Sequence, residues 1–260
     1  MEFSEKIIKI SAEAEAALAP VFAEIDAVAY DNTARVLESY RRHRVSETMF
    51  AGTTGYGYGD TGRDMMGEIY ADVFGAESAF VRHNIVNGTQ AISTVLFGLL
   101  RPGDVLLSVT GRPYDTLSEV IGDKTKNGDG SLADFGIAYD EVALLPDGSV
   151  DFAGIERKLH ELRSRVKVVF IQRSKGYASR PTLSSEEIGQ IAAFSKARSD
   201  AYVVVDNCYG EFCDRTEPTA HGADIVVGSL IKNPGGGMAQ TGGYVAGTAR
   251  AVELAAYRLT

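Results

Sequence analysis

The sequence predicts an α/β protein in three layers, with helices on both faces of a mostly parallel sheet. Stretches of helical spacing alternate with short apolar runs from residue 64 onward, the order that strand–helix–strand units produce. The runs VKVVFI, YVVVDN and DIVVG are continuous and rich in β-branched residues, so both of their faces need cover. Length sets the scale: 260 residues, 45% hydrophobic and 23% charged, suffice for a buried core and are too apolar for a disordered chain.

In chain order, residues 1–50 hold no Gly and one Pro, and Ile7, Ile10, Ala14, Ala17, Phe22, Ile25 and Val28 recur at helical spacing. This segment is expected to be helical, as two helices meeting near Pro20. Residues 52–62, GTTGYGYGDTG, contain five Gly and two Tyr without an aliphatic side chain, which makes them a loop. Ordering such a tract is entropically costly, so it is either a mobile linker or, as the interleaved tyrosines favour, a loop held by a ligand or a neighbouring subunit. Residues 51–260 form the second, sheet-bearing unit. Helices are expected over 64–75, 89–100, 151–163 and 185–197, and strands over 79–86, 104–109, 166–171, 201–206, 224–228 and 243–246. Residues 124–131 read as an exposed turn, and AVELAAYRLT at the end reads as helical.

Composition also excludes. The net charge of −9 repels a phosphate backbone, so nucleic acid is not an expected partner. No apolar stretch approaches the ~18 residues of a membrane span, and the charged N-terminus lacks a signal core, which predicts no membrane association and a cytoplasmic location. Cys208 and Cys213 are too few for a disulfide framework and wrongly spaced for zinc; both are read as buried small hydrophobes. Acidic residues are scattered, so no metal site is expected.

In open parallel sheets ligands gather at the carboxyl ends of the strands, and three features fall there. Asn87-Gly88-Thr89-Gln90 follows an apolar run and opens a helix, where free backbone N–H groups and the helix dipole suit a phosphate or form a plain cap. Asp206 ends YVVVD, where a buried carboxylate needs a cationic partner or strong donors. Lys232 stands between the strand DIVVG and the loop NPGGG, where partial burial favours a nucleophilic amine. Taken together, a phosphate cradle, a strand-end Asp and a strand-end Lys are what pyridoxal phosphate requires. Arg173 and Arg180 face the same edge and could hold a substrate carboxylate or be structural. His83 and His221 are read as structural, and Arg41, Arg42 and Arg44 as a solvated basic face.

The segments GYGYGDTGRD (55–64), VNGTQAI (86–92), GRPYDTL (111–117), VVVDNCYGEF (203–212) and SLIKNPGGG (229–237) resemble fold-type I pyridoxal-phosphate enzymes. Within them, the chain is similar to the methionine γ-lyase and cystathionine β-lyase-related family often labelled aluminium resistance proteins. That resemblance implies a seven-stranded-type sheet, with 51–260 as the cofactor-binding large domain. It implies Lys232 as the Schiff-base lysine, Asp206 as partner of the pyridine nitrogen, and Gly88, Thr89, Gln90 and Ser229 around the phosphate. Tyr114 falls where an aromatic stacks on the ring. Tyr58 and Arg63 fall where related lyases reach a neighbouring subunit's site, which implies a homodimer or homotetramer with shared active sites.

The activity so implied is carbon–sulfur bond cleavage in a sulfur amino acid by β- or γ-elimination. An aminotransferase, an aldolase or a non-catalytic cofactor-binding fragment shares the same residues. Family members continue past the Schiff-base lysine into a smaller C-terminal domain. This chain ends at Thr260, so that domain is expected to be missing from it, through truncation or as a separate chain.

Overall fold

The computed structural model describes residues 3–54, 56–122 and 128–259. Chain order is α1 (Glu5–Arg42), α2 (Thr61–Phe74), β1 (Ser78–Arg82), α3 (Gly88–Leu99), β2 (Val105–Ser108), α4 (Asp115–Ile121), β3 (Ala138–Glu141), α5 (Phe152–Leu162), β4 (Val166–Gln172), α6 (Ser185–Lys196), β5 (Tyr202–Asp206), β6 (Ile225–Ser229), β7 (Gly243–Gly247) and α7 (Ala249–Ala256). The strands form one seven-stranded sheet in the order β1-β7-β6-β5-β4-β2-β3. Only β7 runs against the others, pairing antiparallel with both β1 and β6.

Strand periodicity explains the three layers. Val203 and Val205 enter a core with Ile69 and Phe74 of α2, Ile155 of α5 and Ile188 of α6. Val204 enters the opposite core with Ile92 and Val95 of α3, Leu117 of α4 and Val252 of α7. Successive side chains of a strand point to opposite faces, so an uninterrupted Val run is stable only between two helical layers. The same alternation carries forward to the strand ends. Gln172, Asp206 and Ser229 are each in step with residues of the α3-side core, and all three therefore face that side.

Four expectations need correction. Residues 5–42 form one helix of 38 residues that passes through Pro20 instead of breaking there. A proline blocks one backbone bond, but its φ suits the helix, and the surrounding Ala and Glu residues are strong helix formers. The run 79–86 pairs only as far as Arg82, because the chain then turns towards α3. Strand β3 and helix α4 went unpredicted; AYDE lies at the sheet edge, half-exposed, and carries little apolar signal. Cys208 is buried as expected, but Cys213 is exposed, with its thiol donating to the Tyr209 carbonyl at 3.3 Å. The expected turn at 124–131 lies partly outside the described residues; within them Asp134 accepts from the amides of Gly128, Gly130 and Ser131. Those donors lower its carboxyl to about 2. No helix among the described residues is long and apolar enough to cross a membrane.

Candidate functional site

Four chain segments meet at the carboxyl edge of the sheet on the α3 side. The first is the α3 N-terminus. Asn87 adopts extended backbone and its side chain accepts from the Gln90 amide at 2.9 Å, which caps the helix and leaves the Gly88 and Thr89 amides without an intrahelical acceptor. The Gln90 side chain turns back to accept from the Val86 amide at 2.7 Å, pinning the turn. A Cβ on Gly88 would lie 3.0 Å from Cys208 Sγ and 3.5 Å from Ser229 Cβ, so this glycine lets β5, β6 and α3 close around a small cradle. In that cradle Ser229 Oγ accepts from the Ile231 amide at 3.2 Å.

The second segment brings Tyr114. Its hydroxyl lies 3.1 Å from Thr89 Oγ1, and its amide donates to Gln172 Oε1 at 2.8 Å. Gln172 is registered beside Asp206 in the sheet, so one side chain ties the Tyr114 loop to the strand that carries the acid. Burial, reinforced by the nearby Asp206 carboxylate, pushes the Tyr114 phenol well up from its usual range.

Asp206 is 2% exposed. Its carboxylate accepts from the Cys208 amide at 3.1 Å. Burial raises it to about 6, opposed by that amide and by the positive charge of Lys232. Lys232 lies three residues after the β6 pairing ends at Ser229, and its Nζ donates to the Tyr209 hydroxyl while standing 4.3 Å from that ring's centroid. Tyr209 has a positive φ of 69°, an uncommon conformation for a tyrosine, in the tight turn that follows β5. Sequence reading missed it; a Tyr three residues past the strand-end Asp was its only signal.

Gly88, Thr89, Tyr114, Asp206, Ser229 and Lys232 are thus brought together, with Gln90 beside them as a brace. Tyr58 and Arg63 are not. Tyr58 is 89% exposed and stacks on Tyr56 with centroids 6.1 Å apart. Arg63 donates to the Gly57 carbonyl at 2.8 Å, under a loop so close that a Cβ at Gly57 would lie 2.1 Å from the guanidinium.

Arg173 points to the opposite face of the sheet and is built into the protein. It donates to Asn207 at 2.7 Å, to Asp214 at 2.6 Å and to the Leu183 carbonyl at 3.1 Å. Arg180 donates to the Gln172 carbonyl at 2.7 Å and the Ser174 carbonyl at 2.5 Å, bracing the loop after β4. The Arg173 guanidinium is thus buried and committed to partners in its own chain, whereas Arg180, half-buried, bonds backbone carbonyls alone. Behind Arg173 sits a group that sequence reading also passed over. Glu211 is 1% exposed; it accepts from the Tyr244 hydroxyl at 2.9 Å, and its second oxygen has no partner among the described residues. Burial raises it to about 8.

The donor set fits pyridoxal phosphate. Asp206 is a buried acid whose one backbone donor leaves room for a ring N–H, the Gly88 cradle offers backbone and hydroxyl donors at a helix N-terminus, and Lys232 supplies an amine at the same edge.

The chain as a whole is similar to known proteins. The family model described as Methionine gamma-lyase matches residues 7–260. The uncharacterized protein YnbB of Bacillus subtilis is 49% identical over 98% of this chain and 60% of its own length. A Listeria monocytogenes structure, described as a candidate cystathionine beta-lyase involved in aluminum resistance, superposes with a TM-score of 0.93 at 49% identity. It is covered over 97% of this chain and 63% of that one. A Clostridium novyi structure described as a carbon-sulfur lyase involved in aluminum resistance gives a TM-score of 0.94 at 46% identity, over 99% of this chain and 61% of that one. The chain therefore spans about three fifths of the length of these relatives.

Proposed function

Because the chain belongs to the methionine gamma-lyase family, we propose that it forms the cofactor-holding part of a pyridoxal-phosphate-dependent carbon–sulfur lyase acting on a sulfur amino acid. The observation that carries this is that Asp206 and Lys232 follow the adjacent strands β5 and β6 to one sheet edge, close enough for the Lys232 charge to act on the Asp206 carboxylate, beside the Gly88 cradle. When bound, pyridoxal phosphate supplies an electron sink for the pair released at the substrate's Cα.

The chain's own residues divide the rest of the work. Gly88 and Thr89, with the Ser229 hydroxyl, hold the phosphate at the positive end of α3. Asp206, in a dry pocket, holds the proton on the ring nitrogen; burial makes that acid sensitive to a cationic neighbour. Tyr114 offers a flat face anchored by Thr89 and Gln172. Lys232 Nζ would both tether the cofactor and, when free, serve as the general base for the substrate's α-proton, with the Tyr209 hydroxyl orienting it. Loss of that proton would let a sulfur group leave from Cβ, whereas a sulfur group on Cγ would leave only after a second proton is taken from Cβ, and in either case the departing sulfur takes up a proton. The substrate class rests on the relatives' descriptions, cystathionine beta-lyase and carbon-sulfur lyase. Tyr58 and Arg63 lie outside the cleft of their own chain, and in this reading they serve the site of a neighbouring copy.

The test is direct. Protein incubated with pyridoxal phosphate should absorb near the visible edge and keep the label after borohydride; Lys232→Ala should lose both, with about 10³-fold or greater loss of turnover. Cystathionine, cysteine or methionine should yield a keto acid. Cofactor uptake without keto acid from any of them would reduce the chain to a binding unit.

A further inference from the structure

The turn after β5 keeps its shape against a backbone cost. Tyr209 and Phe212 both have positive φ, 69° and 62°, a conformation that non-glycine residues hold only where their surroundings impose it. On the outer side, Asn32 of α1 donates to the Phe212 and Asp214 carbonyls at 2.9 and 3.1 Å. The Phe212 amide in turn donates to Glu217 at 2.8 Å. Between the two strained residues, Glu211 sends its side chain into the core, 1% exposed, while its carbonyl accepts from Asn233 Nδ2 at 2.9 Å. Asn233 adjoins Lys232, whose Nζ donates to the Tyr209 hydroxyl. One short turn thus joins a buried acid to the lysine loop at the sheet edge.

The buried end is built for a neutral carboxyl. It lies over Gly228 of β6, where a Cβ would come within 2.5 Å of Glu211 Oε1, and against Tyr244 of β7, whose hydroxyl donates to that oxygen at 2.9 Å. Tyr70 and Phe74 of α2 stack beside Tyr244, and Phe212 meets the Phe74 ring edge-on. The titratable groups that act on Glu211 are Tyr70 from α2, Tyr244 from β7, Asp206 and Cys208 from the end of β5, and Cys213 and Glu217 from the turn; none is a cation. Arg173, the cation of this cluster, is bonded to Asp214 and Glu217. An ionised Glu211 would be an uncompensated buried charge, and burial accordingly raises it to about 8.

We propose that Glu211 is a positioning residue for Lys232: its neutral carboxyl anchors the strained turn in the core, and the anchored turn holds the lysine loop through the Tyr209 hydroxyl and the Glu211 carbonyl. Ionisation sets a charge among aromatic rings without a cation, which drives the side chain from its seat. The turn then relaxes, and Lys232 loses its clamp. The consequence for catalysis rests on Lys232 being the cofactor-bearing amine; the clamp itself needs no cofactor.

The test is pulse acetylation of the cofactor-free 260-residue chain between about pH 6 and 9.5, each lysine read by peptide mass spectrometry. Dividing the Lys232 rate by that of exposed Lys6 cancels the ordinary ionisation of an amine. In the parent that ratio should rise about fivefold with a midpoint near pH 8. Lys196, bonded to Asp224 at 2.7 Å at the opposite edge of the sheet, should stay level against Lys6. Glu211→Gln, neutral at every pH, should keep the low ratio throughout, and Tyr209→Phe, which removes the hydroxyl of the clamp, should keep the high one. Tyr244→Phe strips the carboxylate of its donor and should move the step to higher pH. A level ratio in the parent overturns the proposal without any variant. So does the same step in Glu211→Gln, a step that stays in place in Tyr244→Phe, or a parallel rise at Lys196, which would mean general loosening. Because the labelling uses neither cofactor nor substrate, its outcome is separate from whether the loaded chain yields a keto acid.

Discussion

The carboxyl edge of the sheet and the N-terminal region contrast in how their residues are explained. At the sheet edge each side chain answers to a neighbour in the same chain: Asn87 caps α3, Gln172 holds the Tyr114 amide, and Gly88 is small because Cys208 and Ser229 stand against it. Along the first six turns of α1 and in the glycine loop, large apolar and aromatic residues stay exposed, Tyr56 and Tyr58 stacking on each other. Ile7, Phe22, Tyr56 and Tyr58 are all at least 46% exposed. A folded chain rarely keeps such surface for itself, so the first region is built from within and the second for something outside it.

Perturbing both regions sharpens the contrast, beginning with the largest expected effect. Asp206→Ala should leave the cofactor bound, with its absorbance intact, yet cut turnover about a hundredfold, because the ring nitrogen loses its proton holder. Unchanged turnover would remove Asp206 from the mechanism.

Next comes the buried acid on the opposite face. The folded state holds Glu211 at about 8, above its ordinary value of 4.5. Its contribution is therefore fully present below about pH 4.5 and lost as pH rises through about 8. Between pH 6 and 8 that loss is about 2 kcal/mol. Glu211→Gln keeps an acceptor for Tyr244 without a titrating proton, so chemical denaturation of the variant should lack this slope. A parent and variant that change in parallel would contradict the assignment. Asp206, raised to about 6, adds a smaller loss between about pH 4 and 6 that both proteins share.

Smaller still, Gly88→Ala should weaken cofactor binding about tenfold, an effect of ~1.4 kcal/mol, as its methyl crowds Cys208 Sγ; an unaltered binding isotherm would show that the cradle is not used. Least of all, Tyr58→Phe should leave thermal stability within about 0.5 kcal/mol, as expected for an exposed side chain whose aromatic ring, stacked on Tyr56, the substitution keeps. A clear loss of stability would place Tyr58 in the internal structure after all.

How much of this was legible beforehand follows from the same contrast. The strands buried on both faces declared themselves, because continuous runs such as YVVVD admit one environment. Asp206 and Lys232 could be singled out because strand ends in parallel sheets collect chemistry. Strand β3 could not, since an edge strand of mixed polarity looks like a loop. The unbroken passage of α1 through Pro20 was hidden because one residue's penalty was weighed without the alanine-rich turns around it. Arg173 was legible as a residue but not as a role. Its carboxylate and amide partners, Asp214 and Asn207, come from a turn more than thirty residues away, and no local pattern announces them. Glu211 was silent for the same reason, its partner Tyr244 lying on β7.

The account rests on a covalent bond between cofactor and Lys232. The chain should be loaded with pyridoxal phosphate, reduced with borohydride, digested and mapped by mass spectrometry. A pyridoxyl group on the peptide carrying Lys232, and on no other lysine, is the predicted result. A label absent from that peptide, or spread over the remaining lysines, would contradict it.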